Sequence, residues 1–196
     1  RTRRRLAKAP PSLSGFVLLL GVEGRTPDLA HHTVLFPADY DAEFAAIFGR
    51  QPRPVPDPTL YVSVPRDPAV APSGCEAWFV LVNAPRHGPV NWDERGLAER
   101  YAGHLVDLLA RRGLDVRDRI RFREMLSPAD LQRRTGAVGG GIYGTSSNGP
   151  RAAFLRPANR SPVPGLFLAG GSSHPGGGLP LVTLSAAIVA DLIGPA

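Results

Sequence analysis

The residue types best suited to chemistry lie between Gly170 and Leu181, in the sequence GGSSHPGGGLPL. Gly170 and Gly171 lead into Ser172, Ser173, His174 and Pro175. Gly176, Gly177 and Gly178 follow, then Leu179, Pro180 and Leu181. Glycine lacks a Cβ, so it accepts positive φ and lets a ligand approach the backbone. Beyond it, Leu181, Leu184, Ile188 and Leu192 recur at helical spacing, with Ala186, Ala187 and Ala190 as small neighbours. A helix starting near Leu181 presents unpaired N–H groups and a positive dipole end to the loop. A phosphate or an electron-rich ring suits such a place. Ahead of the loop, the apolar run Leu166 to Ala169 reads as a buried strand. Gly194-Pro195 closes the helix. Spacing alone leaves two readings open, a cofactor or anion site and a plain βα connection. The register is not that of GxGxxG.

Other reactive side chains carry less. His174 is either a residue beside a cofactor ring or a loop histidine bonded to backbone. No second His, Cys or carboxylate stands near it at ligand spacing, so no metal site is expected. Ser172-Ser173 lacks the GxSxG context of a serine hydrolase. After Asp130 the only acid is Asp191, which argues against paired-carboxylate hydrolysis in this third of the chain. His31 and His32 are expected on opposite faces of a strand. His87 is read as a loop residue and His104 as a helix-surface residue. Arg151, Arg156 and Arg160 either pair with a cofactor phosphate or face solvent. Asn148 and Asn159 read as turn residues. No general base can be named.

The elements that must position these groups follow in order. Residues 1–12 form a basic, irregular lead-in. Strands are expected at Ser14 to Val22, His31 to Phe36, Thr59 to Val64 and Cys75 to Asn83, pairing into one sheet. A charged strand is expected near Arg119 to Glu124. Asp39 caps a short helix with Tyr40, Phe44, Ile47 and Phe48 on one face, and Gly49 ends it. Asn91 to Arg112 is the longest expected helix, with an apolar stripe of Trp92, Leu97, Tyr101, Leu105, Leu108 and Leu109. Ser127-Pro128 opens another helix, which ends by Gly136. Residues 137–150 are a glycine-rich loop, and 151–160 an extended segment around Phe154 and Leu155. We therefore divide the chain into residues 1–12, 13–136 and 137–196.

Composition bounds the class. The chain has 196 residues, 43% hydrophobic, with 22 glycines and 21 prolines, so a real core and many turns are expected. The formal charge of +6 is local: without Arg1, Arg3, Arg4, Arg5 and Lys8, 18 of the 23 basic residues remain against 17 acids. No basic patch interleaved with aromatics occurs, which argues against nucleic acid. Cys75 stands alone, fitting a reducing compartment. The longest apolar run, Phe16 to Val22, is well short of the roughly 18–20 residues a membrane span needs. The only methionine is Met125, so a natural start upstream is expected.

Three segments resemble the bacterial-type phytoene desaturase family, the FAD-dependent carotenoid desaturases among the amine-oxidase-like flavoproteins. They are LAHHTVLFPADYDAEFAAIF, DPTLYVSVPRDPAVAPSGCEAWFVLVNAP and FLRPANRSPVPGLFLAGGSSHPGGGLPLVTLSAAIVA. The His-Pro-Gly turn between an apolar strand and a small-residue helix is the most specific part. The wording of the glycine-rich third is similar to desaturases of hydroxylated or late-pathway carotenoids and to related oxygenases. The resemblance implies an α/β fold: an α+β portion of a substrate domain, then the last strand–helix unit of a Rossmann-like FAD-binding domain. It implies that Gly170, Gly171, Ser172, His174 to Pro180 and the helix from about Leu181 lie along FAD. It implies a carotenoid substrate, with Phe16, Leu18, Leu20, Trp78, Phe79 and Leu81 either lining a tunnel or forming core. It also implies attachment to the inner face of a membrane from the cytoplasm, aided by the basic arm. The family's N-terminal GxGxxG segment is not in this chain and would be its partner in holding FAD. A carotenoid oxygenase or ketolase on the same scaffold, and a non-catalytic lipid-binding paralogue, are the alternatives.

Overall fold

The computed structural model describes residues 9–146 and 156–195. The basic arm at residues 1–8, Asn148, Arg151, Phe154 and Leu155 lie outside the described residues. The chain forms two compact units, Ser14–Gly140 and a second made of Arg1–Leu13 with Gly141–Ala196.

The first unit is built on five antiparallel strands: β1 (Ser14–Glu23), β2 (His32–Leu35), β3 (Leu60–Ser63), β4 (Cys75–Ala84) and β5 (Ile120–Leu126). Their order across the sheet is β2-β3-β4-β1-β5. The expected four strands do pair, and the charged fifth joins beside β1. Side chains alternate between sheet faces. Phe16, Leu18, Leu20 and Val22 of β1 share one face with Trp78, Val80 and Val82 of β4 and Leu60 and Val62 of β3, all buried. These residues belong to one core cluster with Tyr101, Ala102, Leu105, Leu108 and Leu109 of helix α2 (Leu97–Arg111). The Phe16 ring meets Tyr101 edge-on at 5.0 Å and Trp92 at 5.5 Å. Leucine and aromatic burial on this scale is the main stabilising term of a small domain. Helix α2 starts at Leu97 rather than near Asn91. Gly96 is left-handed, with φ 76°, and Trp92 enters the core from the turns before it.

Helix α1 (Tyr40–Phe48) is capped by Asp39, which accepts from the Ala42 amide at 3.0 Å. Its buried side is Glu43, Ala46 and Ile47, so only Ile47 of the four expected residues faces inward. Tyr40, Phe44 and Phe48 instead stack along the outside with ring separations of 5.2 and 6.4 Å. Residues four apart lie on one stripe, and the inward stripe is occupied by Glu43. Its carboxylate accepts from the Thr59 amide and hydroxyl and from Asn83 Nδ2, at 2.9, 2.7 and 2.8 Å. Helix α3 (Pro128–Thr135) has the capping box expected of Ser127, reciprocated by Asp130.

Glu76 fastens the loop after β1 to the sheet. It accepts from the Thr26 amide and hydroxyl, both at 2.9 Å, and from Trp78 Nε1 at 3.0 Å. Burial alone raises its pKa, but these donors and the charge of Arg119 outweigh it, holding the carboxyl below the usual 4.5. A carboxyl with a lowered folded-state pKa stabilises the fold above its unfolded value and loses that contribution as pH falls through the folded value. Glu76→Gln is therefore expected to flatten the acid limb of stability below about pH 4.5. Urea unfolding midpoints at pH 7 and below 4 check this: the gap between variant and wild type must narrow in acid.

Candidate cofactor loop and apolar sheet face

In the second unit, helix α4 (Leu179–Ile193) begins two residues before the expected Leu181 and ends at Gly194. Its N-cap is Gly178, and no side chain caps it. Gly170 and Gly178 have φ 118° and 96°, and a Cβ on either would meet nothing within 4 Å. The first turn of α4 is thus open to a ligand on the side that these glycines clear. Gly177, by contrast, is packed: a Cβ there would lie 2.6 Å from the Tyr143 ring. Ser172, His174, Leu179 and Pro180 are exposed, and Gly171 and Pro175 half-buried. Gly176 is buried against Arg156, and Leu181 is 40% exposed.

The loop is held from beneath by a polar hub that the sequence did not announce. Asn159 is buried, and its Nδ2 donates to Leu168 O, His174 O and Ser185 Oγ, each at 2.9 Å. The Gly170 amide donates to Ser185 Oγ at 3.1 Å. Ser185 Oγ lies 3.3 Å from Ser173 Oγ, and Ser173 donates to Gly170 O at 3.0 Å. One asparagine and two serines therefore tie the first part of the segment, from Leu168 to His174, to α4. Arg156 neither faces solvent nor points at an open site; it is buried and donates to Tyr143 O and Gly171 O. Arg160 lies exposed over the Phe167 ring, 5.6 Å from its centroid. The expected strand at 166–169 is reduced to an isolated bridge between Arg160 and Phe167. A strand needs a neighbour along its length to pair its amides, and among the described residues only that bridge supplies one. Most of α4 is likewise uncovered: Leu179 and Leu184 are 84% and 50% exposed, and Ser185 is its buried residue.

In the first unit, the sheet face opposite the core is the other candidate. Leu19, Gly21, Ala77, Phe79 and Phe122 line a groove of about 540 Å³ with the loop residues Val70 and Pro72. Gly21 makes room for Phe122, since a Cβ would lie 3.1 Å from the Phe122 Cβ. Of the six proposed tunnel residues, Phe16, Leu18, Leu20 and Trp78 are core, while Phe79 and Leu81 are on this second face. A second cavity of about 470 Å³, lined by Arg25, Arg66, Asp67 and Glu76, is polar and does not suit a hydrocarbon.

The histidines divide. His31 precedes β2 in a bend, so its ring stacks on His32 at 4.3 Å instead of pointing to the opposite face. His87 is a half-buried loop residue 3.6 Å from the Asp93 carboxylate, and His104 Nε2 lies 2.6 Å from Pro56 O. Cys75 is free and half-buried at the start of β4. Among the described residues, no helix is long and apolar enough to cross a membrane.

No protein-family model matches the sequence. Curated relatives do. The chain is 38% identical over 190 residues to 1-hydroxycarotenoid 3,4-desaturase of Flavobacterium, covering 95% of this chain and 38% of that protein. It is 36% identical over 197 residues to 4,4'-diapolycopene oxygenase of Methylomonas, covering 97% of this chain and 39% of the relative. It is 36% identical over 205 residues to hydroxyneurosporene desaturase of Rhodobacter capsulatus, covering 99% and 40%. The similarity to these carotenoid desaturases and oxygenases runs over almost the whole of this chain. It spans about two fifths of the length of these relatives.

Asn159→Ala is expected to lower stability by about 1 kcal/mol, because the part-buried carbonyls of Leu168 and His174 lose their donor. Asn159→Asp is expected to cost more at neutral pH, setting a carboxylate against two carbonyl oxygens. Thermal unfolding of the two variants beside wild type checks the ranking.

Proposed function

We propose that this chain is part of an FAD-dependent carotenoid desaturase, an oxidoreductase that inserts C=C bonds into a polyene. In this reading residues 137–196 belong to the FAD-binding domain and residues 13–136 to the substrate domain. What carries the reading is the uncapped start of α4 behind Gly170 and Gly178, in a chain whose relatives include carotenoid desaturases. Gly170, Gly171, Ser172, His174, Pro175, Gly176, Gly177, Gly178, Leu179, Pro180 and Leu181 are the proposed cofactor segment. The fit rests on three features. Two glycines leave the backbone bare, the first helical amides have no side-chain acceptor, and the Asn159 hub keeps the loop in one shape. Negative charge near a helix N-terminus is favoured by about 0.3–2 kcal/mol.

In the reaction, a saturated C–C pair of the polyene loses two hydrogens, one as hydride and one as a proton from the neighbouring carbon, and a C=C bond forms. FAD, when bound, supplies the two-electron acceptor. The chain's own contribution is binding and orientation. The apolar sheet face with Phe79, Leu19 and Phe122 takes the hydrocarbon by burial and keeps water from it. A substrate of this kind partitions into bilayers, so the proposal includes attachment to the inner face of a membrane, with the basic arm of residues 1–8 as a contact for anionic lipid. The identity to diapolycopene oxygenase supports a second reading, oxygen insertion on the same scaffold.

The test is the protein expressed from its complete reading frame, reconstituted with FAD and given acyclic carotenoids in liposomes. Loss of two mass units per step with a red-shifted polyene spectrum is expected; a gain of oxygen mass decides for the second reading. Gly178→Val is expected to reduce flavin retained per polypeptide by about tenfold or more, equivalent to about 1.4 kcal/mol. It does so by forcing a β-branched residue to positive φ and filling the space beside α4. Flavin absorbance after gel filtration reads it, with circular dichroism confirming the fold; full retention would remove the proposed segment from the cofactor site.

A further inference from the structure

The open face of the sheet is not apolar throughout. The pairing register sets Leu19 of β1 beside Phe79 of β4, Phe79 beside Ser63 of β3, and Ser63 beside His32 of β2. At the usual strand spacing of about 4.8 Å this row runs roughly 14 Å, from the apolar groove to the sheet edge. At that edge, the Tyr61 hydroxyl lies 2.8 Å from His32 Nδ1. The Tyr61 ring meets Phe79 edge-on with centroids 6.4 Å apart and stacks with His32 at 6.0 Å, and His31 stacks with His32 at 4.3 Å. An unbroken aromatic path therefore leads from the hydrocarbon groove to one hydrogen-bonding pair. His32 is exposed and Tyr61 half-buried, so the pair is open to a ligand. With the ring hydrogen on Nε2, the phenol donates to Nδ1. It keeps a lone pair to accept with, and Nε2 keeps a hydrogen to donate. A hydroxyl group arriving at the Tyr61 oxygen can donate to that lone pair, while Nε2 points away on the other side of the imidazole and does not reach the same hydroxyl.

We propose that Tyr61, held in place by His32, binds the terminal hydroxyl of an end-hydroxylated polyene whose chain lies along the Leu19–Phe79 row, and so sets the preference for hydroxylated over plain hydrocarbon substrates. The inference rests on the reading of the sheet face as the substrate surface. It assigns to two side chains a selectivity that the names of the relatives do not locate. They are positioning residues, remote from the bond that reacts.

The experiment uses Tyr61→Phe, which removes one oxygen and keeps the ring contacts with Phe79 and His32. An acyclic carotenoid and its 1-hydroxylated counterpart of equal chain length are compared with the complete protein, by equilibrium binding from the shift in polyene absorbance and by kcat/KM. Wild type is expected to prefer the hydroxylated compound. Tyr61→Phe is expected to erode that preference by about three- to tenfold, leaving the value for the plain hydrocarbon unchanged. His32→Gln, which retains an acceptor for the Tyr61 phenol, is expected to lose less than His32→Phe. An unchanged ratio in Tyr61→Phe overturns the assignment, and so does an equal fall for both compounds, which marks a structural role for the pair. If wild type binds neither carotenoid, the sheet-face reading fails, and this inference with it. Binding without turnover leaves the hydroxyl preference measurable, so failure of the chemistry is told apart from failure of the recognition.

Discussion

The pairing register that sends alternate side chains of β1 and β4 to opposite sheet faces is the constraint on which the first unit depends. Even-numbered residues from Phe16 to Val22 and from Glu76 to Ala84 point into the core, where α2 seals them. A slip of one residue would exchange this whole set for the odd-numbered one and bring Gly21, Ala77 and Asn83 inward. The buried contacts of Phe16 with Trp92 and Tyr101 hold the register from inside. Burial, and beyond it the nearby charge of Glu43, pushes the Tyr101 phenol far above its ordinary pKa, so it stays neutral while donating to Val55 O. With one face so committed, the other is left with small, aromatic and apolar groups, and a concave apolar surface results. The core and the groove are consequences of one pattern.

The second unit depends on polar geometry instead of burial. Its loop is made of residues with little to bury, so hydrophobic packing cannot specify its path. Asn159, Ser173 and Ser185 do so by meeting backbone groups of the loop itself. Arg156 adds its guanidinium to the carbonyls of Tyr143 and Gly171, a cation neutralising two dipoles where a carboxylate would have brought charge of its own. The result is a loop fixed from Leu168 to His174, with Gly170 and Gly178 left bare and Gly176 and Gly177 packed.

Much of the first unit was legible because alternation and capping are local signals. SGFVLLLGV and CEAWFVLVN read directly as β1 and β4, and Ser127-Pro128 as the start of α3. The outward turn of Tyr40, Phe44 and Phe48 was not legible, because the inward place belongs to Glu43. Its partners Thr59 and Asn83 lie 16 and 40 residues away. The late start of α2 was hidden for a similar reason: apolar spacing runs back to Trp92, while the backbone at Gly96 does not. At the candidate sites, the glycine run and the helix after it were visible as residue types. Asn159 passed for a turn residue, since nothing in its neighbours shows that Ser185 will come to meet it. His32 and Tyr61 are 29 residues apart, and only the pairing of β2 with β3 makes them a pair.

The place of β1 between β4 and β5 also fixes an order of events during synthesis. One of its neighbours, β4, is translated some sixty residues later, and the other, β5, about a hundred residues later. At roughly 5–20 residues per second on the ribosome, the most apolar stretch of the chain waits several seconds for its first partner and longer for its second. β2 and β3, made in that interval, assemble on β4 and not on β1. The sheet is thus completed only after most of its unit has been made: β4, the middle strand, joins β3 to β1, and β5 closes the far edge last.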